Sequence, residues 1–207
     1  MTAELHGRLP WLRPDELDDE QREYYDRLLG SPRHREDYVD EQGRLHGAFN
    51  ARLLDPAVGT AIQQMGAALR FSSKLPDRQR EIVILTVAQS QRSDFEWHGH
   101  VGAARRVGLS DVQLDALRTG APVPGLTAAE QAARQVTTAL VHRRDLSDAE
   151  FAEAVGTVGA VALFDIVSLV GHYLHTALAL RIWRVPLRSG DEPVFGRGDS
   201  EGAFTGE

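Results

Sequence analysis

Leu75-Pro76-Asp77-Arg78-Gln79-Arg80-Glu81-Ile82-Val83-Ile84-Leu85 decides between an all-helical chain and one built on a sheet. Four apolar residues in a row suit a buried strand as well as a buried helix. Pro76 at the head, the glutamines and arginines around the run, and no turn pair after it favour the helix. One residue is out of keeping with a plain core element. Glu81 sits at the edge of the apolar run, where a carboxylate is costly unless paired.

Outward from this stretch the helical signals recur. Asp55-Pro56 is a cap followed by a first-turn proline, and Val58, Ile62, Met65 and Leu69 follow at a spacing that predicts a core-facing stripe. Ser72 and Ser73 interrupt that helix. A first helix is predicted over about Asp15–Leu29, between Pro14 and Gly30, and residues 31–46 read as a long polar connection. Downstream, helices are predicted over Ser93–Val107, Ser110–Gly120, Thr127–His142, Ser147–Val155 and Ala160–Trp183, with a rigid linker at Ala121-Pro122-Val123-Pro124-Gly125. Four starts carry the Ser/Thr-x-x-Glu/Gln capping box: Ser93/Glu96, Ser110/Gln113, Thr127/Glu130 and Ser147/Glu150. The expected class is all-α. Residues 1–48 form an N-terminal helical extension, 49–187 the main helical domain, and 188–207 a Gly-rich polar tail expected to be disordered.

At 207 residues the chain is long enough for one well-filled domain and short for two. A net charge of -7 with no clustered basic stripe argues against nucleic acid as a partner. Zero cysteine excludes disulfides, thiolate metal sites, thiol nucleophiles and dithiol redox chemistry together. No N-terminal segment has the basic-then-apolar pattern of a secretory signal, so a cytoplasmic location is expected. Ala160–Trp183 is long and apolar enough to raise a membrane question. It contains Asp165, His172, His175 and Arg181, each expensive in lipid, and reads instead as the buried central helix of a bundle. Arg197-Gly198-Asp199-Ser200 matches an integrin-binding tripeptide, which reads as chance without a secretion signal.

The chemistry-bearing stretch is Ser93-Asp94-Phe95-Glu96-Trp97-His98-Gly99-His100. Glu96 and His100 share a helix face, the minimum geometry for a carboxylate-oriented histidine that transfers protons. A plainer role competes, since Glu96 also stands where a capping-box carboxylate reaches back to Ser93. Trp97 supplies an indole wall, and His98 reads as a surface residue. Glu81 has its own plain reading, a salt bridge to Arg78, Arg80 or Lys74. On the last helix Asp165, Ser168, His172 and His175 recur along one stripe, either an internal polar network, an oligomer contact or the far wall of a site, and Tyr173 adds a hydroxyl beside it. Histidine spacings at His98/His100 and His172/His175 occur in metal sites. Neither His-Glu-x-x-His nor Glu-x-x-His is present, so no metal is expected.

Together these residues resemble the carboxymuconolactone decarboxylase and alkylhydroperoxidase-D-like (AhpD-like) superfamily. The likeness runs from about Phe49 to Leu187, through Leu75–Glu81, Phe95–His100, Gly108-Leu109-Ser110 and Gly171-His172-Tyr173. The peroxidase branch has a glutamate, a Cys-x-x-Cys pair and a histidine four positions later, which fall here on Glu81, Ser93, Glu96 and His100. Both sulfurs are absent, and serine forms neither the disulfide nor the sulfenic acid that hydroperoxide reduction uses. The decarboxylase branch is similar in its Glu-Trp-x-x-His form, matched by Glu96, Trp97 and His100.

The resemblance implies an AhpD-like helical bundle, a homotrimer or hexamer with sites near subunit interfaces, and no cofactor. It implies a lyase-type, cofactor-independent acid–base enzyme for a small carboxylated or lactone/enone substrate, catalysing decarboxylation or a related proton transfer. His100 would move the proton, Glu96 hold its ring, Glu81 orient it or share the proton, and His172 act from the opposing helix. Trp97, Ser93, Tyr173, His175 and Arg70 would bind substrate, with Lys74 and Arg92 as further grips for a carboxylate. An isomerase, cyclase or lactone hydrolase on the same residues, or a non-catalytic ligand-binding relative, are the alternatives.

Overall fold

Nine α-helices carry the described part of the chain: α1 Asp19–Leu29, α2 Gly47–Ala51, α3 Pro56–Phe71, α4 Asp77–Ser90, α5 Asp94–Arg106, α6 Asp111–Thr119, α7 Ala128–Arg143, α8 Asp148–Val158 and α9 Ala160–Ile182. This computed structural model describes residues 4–31 and 38–196, and the Arg-Gly-Asp-Ser stretch lies outside the described residues. The only strands among them are β1 (Leu5–His6) and β2 (Leu9–Pro10), an antiparallel pair that pins the N-terminal segment.

The stretch from Arg80 to Ala88 is buried without interruption, which makes α4 the centre of the bundle. Its apolar run works because the two sides of the helix serve two cores. Val83, Ile84 and Val87 pack with α7, α8 and α9. Ile82, Leu85 and Ala88 pack with α5 and α6. Full burial of each such side chain contributes about 1.5–3 kcal/mol, so a helix with no solvated face is stable only here, between layers. A third cluster joins Tyr24, Tyr25 and Leu28 of α1 to Tyr38, Leu45 and Leu53. The N-terminal segment thus has a small core of its own, docked on α3 and α9.

Three expectations are corrected. The first α-helix starts at Asp19, because Asp18 closes a capping box with Gln21 and leaves Pro14–Glu16 as a separate 3-10 turn. The inward face of α3 is Gly59, Gln63, Gly66 and Leu69, while Val58 and Met65 are exposed. The glycines allow this: a Cβ at Gly59 would stand 2.7 Å from the Arg52 carbonyl oxygen, so the helix seats closely through its small residues. The buried centre is α4 and not α9, whose apolar stretch is only 44% buried. Val161, Phe164, Val167, Leu178 and Ile182 of α9 face outward. Residues 188–196, which follow the main helical domain, lie against the start of α5. Asp94 accepts from the amides of Val194 and Phe195 (2.7 and 2.9 Å), and Phe195 meets Trp97 edge-on.

Candidate active site

The turn after α4 runs through Gln91 and Arg92, and Ser93 caps α5, so the two helices lie side by side. That crossing sets Glu81, in the second turn of α4, against His100 on the inner face of α5. The ring nitrogen His100 Nδ1 lies 2.8 Å from Glu81 Oε2, and both side chains are buried. On its other side His100 Nε2 is 3.0 Å from the hydroxyl of Tyr173, delivered by α9. The two rings meet edge-on, 5.1 Å apart. A buried chain of contacts therefore runs Glu81–His100–Tyr173, one residue from each of α4, α5 and α9.

The electrostatics give this chain a direction. Burial pushes the Glu81 carboxyl upward, but the hydrogen bond and charge of His100, with Arg70 and Arg80 behind, outweigh it and hold it below its ordinary value. Glu81 is then the ionised acceptor, Nδ1 carries the hydrogen donated to it, and Nε2 faces the Tyr173 hydroxyl. Burial would lower the Arg70 guanidinium. Its neighbours Tyr173, Glu81 and Tyr38 more than offset this and leave it a firm cation.

Glu96 behaves differently from the other capping-box residues. Gln113, Glu130 and Glu150 each return a side chain to the amide of their own cap. Ser93 accepts from the Glu96 amide at 3.5 Å, but the Ser93 amide donates to Ala88 (2.8 Å). The Glu96 carboxylate turns instead into the cleft, with Oε2 4.0 Å from His100 Nε2. It contributes charge beside the ring without a hydrogen bond to it, so the carboxylate that orients His100 is Glu81 rather than Glu96.

The cleft in which these groups stand is lined by Arg70, Glu96, His100, His172 and Tyr173 from the expected set. His172 is buried, its ring edge-on to Tyr173 at 5.4 Å. Five expected residues lie elsewhere. Trp97 is buried in the α4–α6 core beside Leu109 and Leu117 rather than walling the cleft, because its side chain leans toward α6. Ser93 serves as the α5 cap. His175 is exposed in a separate depression with Leu54, Val58 and Ile62, one turn past His172 on the outward side of α9. Lys74 lines a distant surface hollow, and Arg92 donates to the carbonyl of Phe195. The plain reading of Glu81 holds in part: Arg80 Nε lies 3.9 Å from Glu81 Oε1 while pairing more closely with Asp77, and Arg78 pairs with Glu130 instead.

Sequence reasoning missed the walls of the cleft that come from outside the central helices: Tyr38, Phe49 and Arg52 from the N-terminal segment and Arg188 from the C-terminal one, with Phe95 between. Gly47 at φ +63° lets α2 approach so closely that a Cβ there would stand 2.4 Å from the Phe95 ring. No local pattern announces these residues, because only tertiary docking brings them to the cleft. His98, read as a surface residue, is partly covered, with Nε2 2.8 Å from the Glu192 carbonyl oxygen. Among the described residues no group of three or more His, Asp or Glu is placed to hold a metal ion.

Residues 56–139 match the sequence profile of the carboxymuconolactone decarboxylase family. Solved structures with the same fold include an uncharacterized peroxidase-related protein from Silicibacter sp. TM1040, at TM-score 0.71 and 15% identity over 94% of this chain and 98% of that one. A second is an alkylhydroperoxidase AhpD core, an uncharacterized peroxidase-related protein from Ralstonia eutropha JMP134, at 0.68 and 13% over 90% and 95%. A third, a protein of unknown function from Agrobacterium tumefaciens, gives 0.60 and 17% over 67% and 95%. Coverage of 94% is too high to leave out the first 48 residues, so most of the N-terminal segment is part of the shared architecture. No curated protein matches the chain. The fold is that of the all-helical AhpD-like proteins. Over residues 56–139 the chain is thus similar to the carboxymuconolactone decarboxylase family, within a fold shared with AhpD-like proteins.

Proposed function

We propose that this chain is a cofactor-independent acid–base enzyme acting on a small carboxylated lactone or enone, by decarboxylation or a closely related proton transfer. The observation that carries the reading is the buried Glu81–His100–Tyr173 chain opening on a cleft that also holds Glu96, His172 and Arg70. With no cysteine in the chain, thiol-based peroxide reduction has no nucleophile.

In the proposed step the bond between the substrate's α-carbon and its carboxylate breaks, carbon dioxide leaves, and the electron pair passes into the conjugated carbonyl. A proton must then reach the resulting dienolate. The Tyr173 hydroxyl donates it at the mouth of the chain, or His100 donates it from Nε2 when charged as the imidazolium and returns to the Nδ1–H form that Glu81 holds, and solvent restores the proton after release. Glu96 and Arg70 set the local field, and His172 backs Tyr173. Positioned proton transfer supplies about 10²–10⁴-fold, and charge complementarity in the dry cleft supplies the rest.

Turnover of carboxylated enones and lactones in deuterium oxide tests this. One deuterium per turnover is expected at the carbon that loses carbon dioxide, and His100→Ala should lower the rate by about 10²-fold or more. A near-native rate in folded His100→Ala protein contradicts the proposal.

The protein is further proposed to be a homo-oligomer. Nine of the twelve exposed large apolar side chains among the described residues lie on α9, on α3 or at Leu54 just before it. An uncovered apolar surface of that extent marks an interaction face. Phe164→Glu should lower the mass seen by light scattering, and an unchanged mass would locate any assembly elsewhere.

A further inference from the structure

Two arginines at the cleft come from outside the stretch that matches the family profile, one from each end of the chain. Arg52 follows α2, and its guanidinium stands 4.9 Å from the centre of the Phe49 ring. Arg188 follows α9, 5.1 Å from the centre of the Phe95 ring. Both pairs line the cleft that holds Glu96 and His100. A guanidinium resting on a phenyl face is restrained as a plane while its edge keeps its donors, a geometry suited to a carboxylate.

The segment that carries Arg188 is fastened at several points. Asp94 receives two of its amides, His98 contacts the Glu192 carbonyl, and Phe195 is seated on Trp97. The segment that carries Arg52 is held as firmly. Arg52 Nη1 donates to Gln63 (3.3 Å), Trp11 Nε1 donates to the Leu45 carbonyl (2.8 Å), and Gly47 packs on Phe95. Arg70 stands deeper, beside Tyr173 and Glu81 at the catalytic chain. The cleft walls between the arginines are aromatic: Tyr38, Phe49, Phe95 and Tyr173.

We infer that Arg52 and Arg188 form a specificity clamp for the carboxylate of a planar, unsaturated ligand, whose flat body lies among these aromatic rings. This deepens the proposed function and rests on its reading of the cleft as the substrate site. The clamp explains why both chain ends are fastened so closely over a bundle whose proton-transfer residues all lie on α4, α5 and α9.

Binding of benzoate to the full-length protein, followed by calorimetry without any turnover, tests the clamp. Benzoate should bind the wild type, and benzamide, the same shape without the charge, should bind more weakly. Arg188→Gln and Arg52→Gln should each weaken benzoate roughly tenfold to a hundredfold, the range for loss of a charge-assisted contact. Arg188→Lys keeps the charge but not the planar stack and should fall between wild type and Arg188→Gln. Thermal unfolding of each variant separates lost binding from lost fold, and Arg188→Lys serves if a glutamine variant does not fold. No benzoate binding by the wild type, equal affinity for benzamide, or affinities within about twofold of wild type in both glutamine variants would overturn the clamp. Arginine-dependent binding together with failure of the deuterium experiment would leave the clamp standing and remove the proposed reaction alone.

Discussion

Glu81 and Glu96 stand on consecutive helices and address the same imidazole, yet their relations to it are unlike. Glu81 touches His100 at hydrogen-bond distance, buried at the centre of the bundle, and is held ionised by that contact. Glu96 shares a helix face with His100 but stays 4.0 Å from it, at the cleft. The difference teaches that spacing within one helix brings charge near, whereas the crossing of two helices sets the bond that fixes a tautomer.

The largest effect is expected at Glu81. Glu81→Ala leaves the charged neighbours Arg70 and Arg80 facing a void, and breaking a buried pair of this kind costs about 3–5 kcal/mol, measurable by denaturant unfolding. Glu81→Gln keeps the packing, and its turnover should fall by roughly 10²–10⁴-fold. Tyr173→Phe comes next, with a fall of about 10²-fold and little change in stability, since the ring packing is kept. Glu96→Gln sharpens the comparison: the fold should hold within about 0.5 kcal/mol, because the carboxylate closes no capping box, while activity drops less than in Glu81→Gln. A larger loss in Glu96→Gln than in Glu81→Gln would reverse the two roles.

The comparison also bears on how much could be read from sequence. The helix starts were legible because caps are local: Ser110, Thr127 and Ser147 all close the boxes their spacing announces. The run at Ile82–Leu85 was legible as helix, and Glu81 as a residue in need of a partner. The plain reading reached Arg80 but not the nearer partner His100, which is nineteen positions away and meets Glu81 only through the α4–α5 crossing. The outward apolar faces of α3 and α9 misled for a related reason: hydropathy marks a surface that avoids water without saying whether this chain covers it. Arg52 and Arg188 carry no local signature at all.

Apart from the cleft, an acid response with two parts is expected. His6 is held down to about 4, chiefly by burial and then by His46 and Arg44, against Asp40. Its Nε2 accepts from the Gly47 amide at the start of α2. Because its folded value lies below its unfolded one, the unfolded chain binds the extra proton. Stability is then complete above about pH 6.5 and falls between 6.5 and 4, by an amount on the order of 2–3 kcal/mol. The depressed Glu81 carboxyl has the same sign lower down: its contribution is present above the ordinary carboxylate range and is lost as pH falls through its folded value. His6→Phe should flatten the upper part of a stability–pH curve and Glu81→Gln the lower part. A single unchanged slope in both variants would contradict the assignment.

Nitrogen-15 NMR of the imidazoles tests the central claim most directly. His100 should show a protonated Nδ1 near neutral pH, its proton shifted strongly downfield by the Glu81 carboxylate, with that shift diminished in Glu81→Gln and retained in Glu96→Gln. An unprotonated Nδ1, or a signal that responds to Glu96 and not to Glu81, would contradict it.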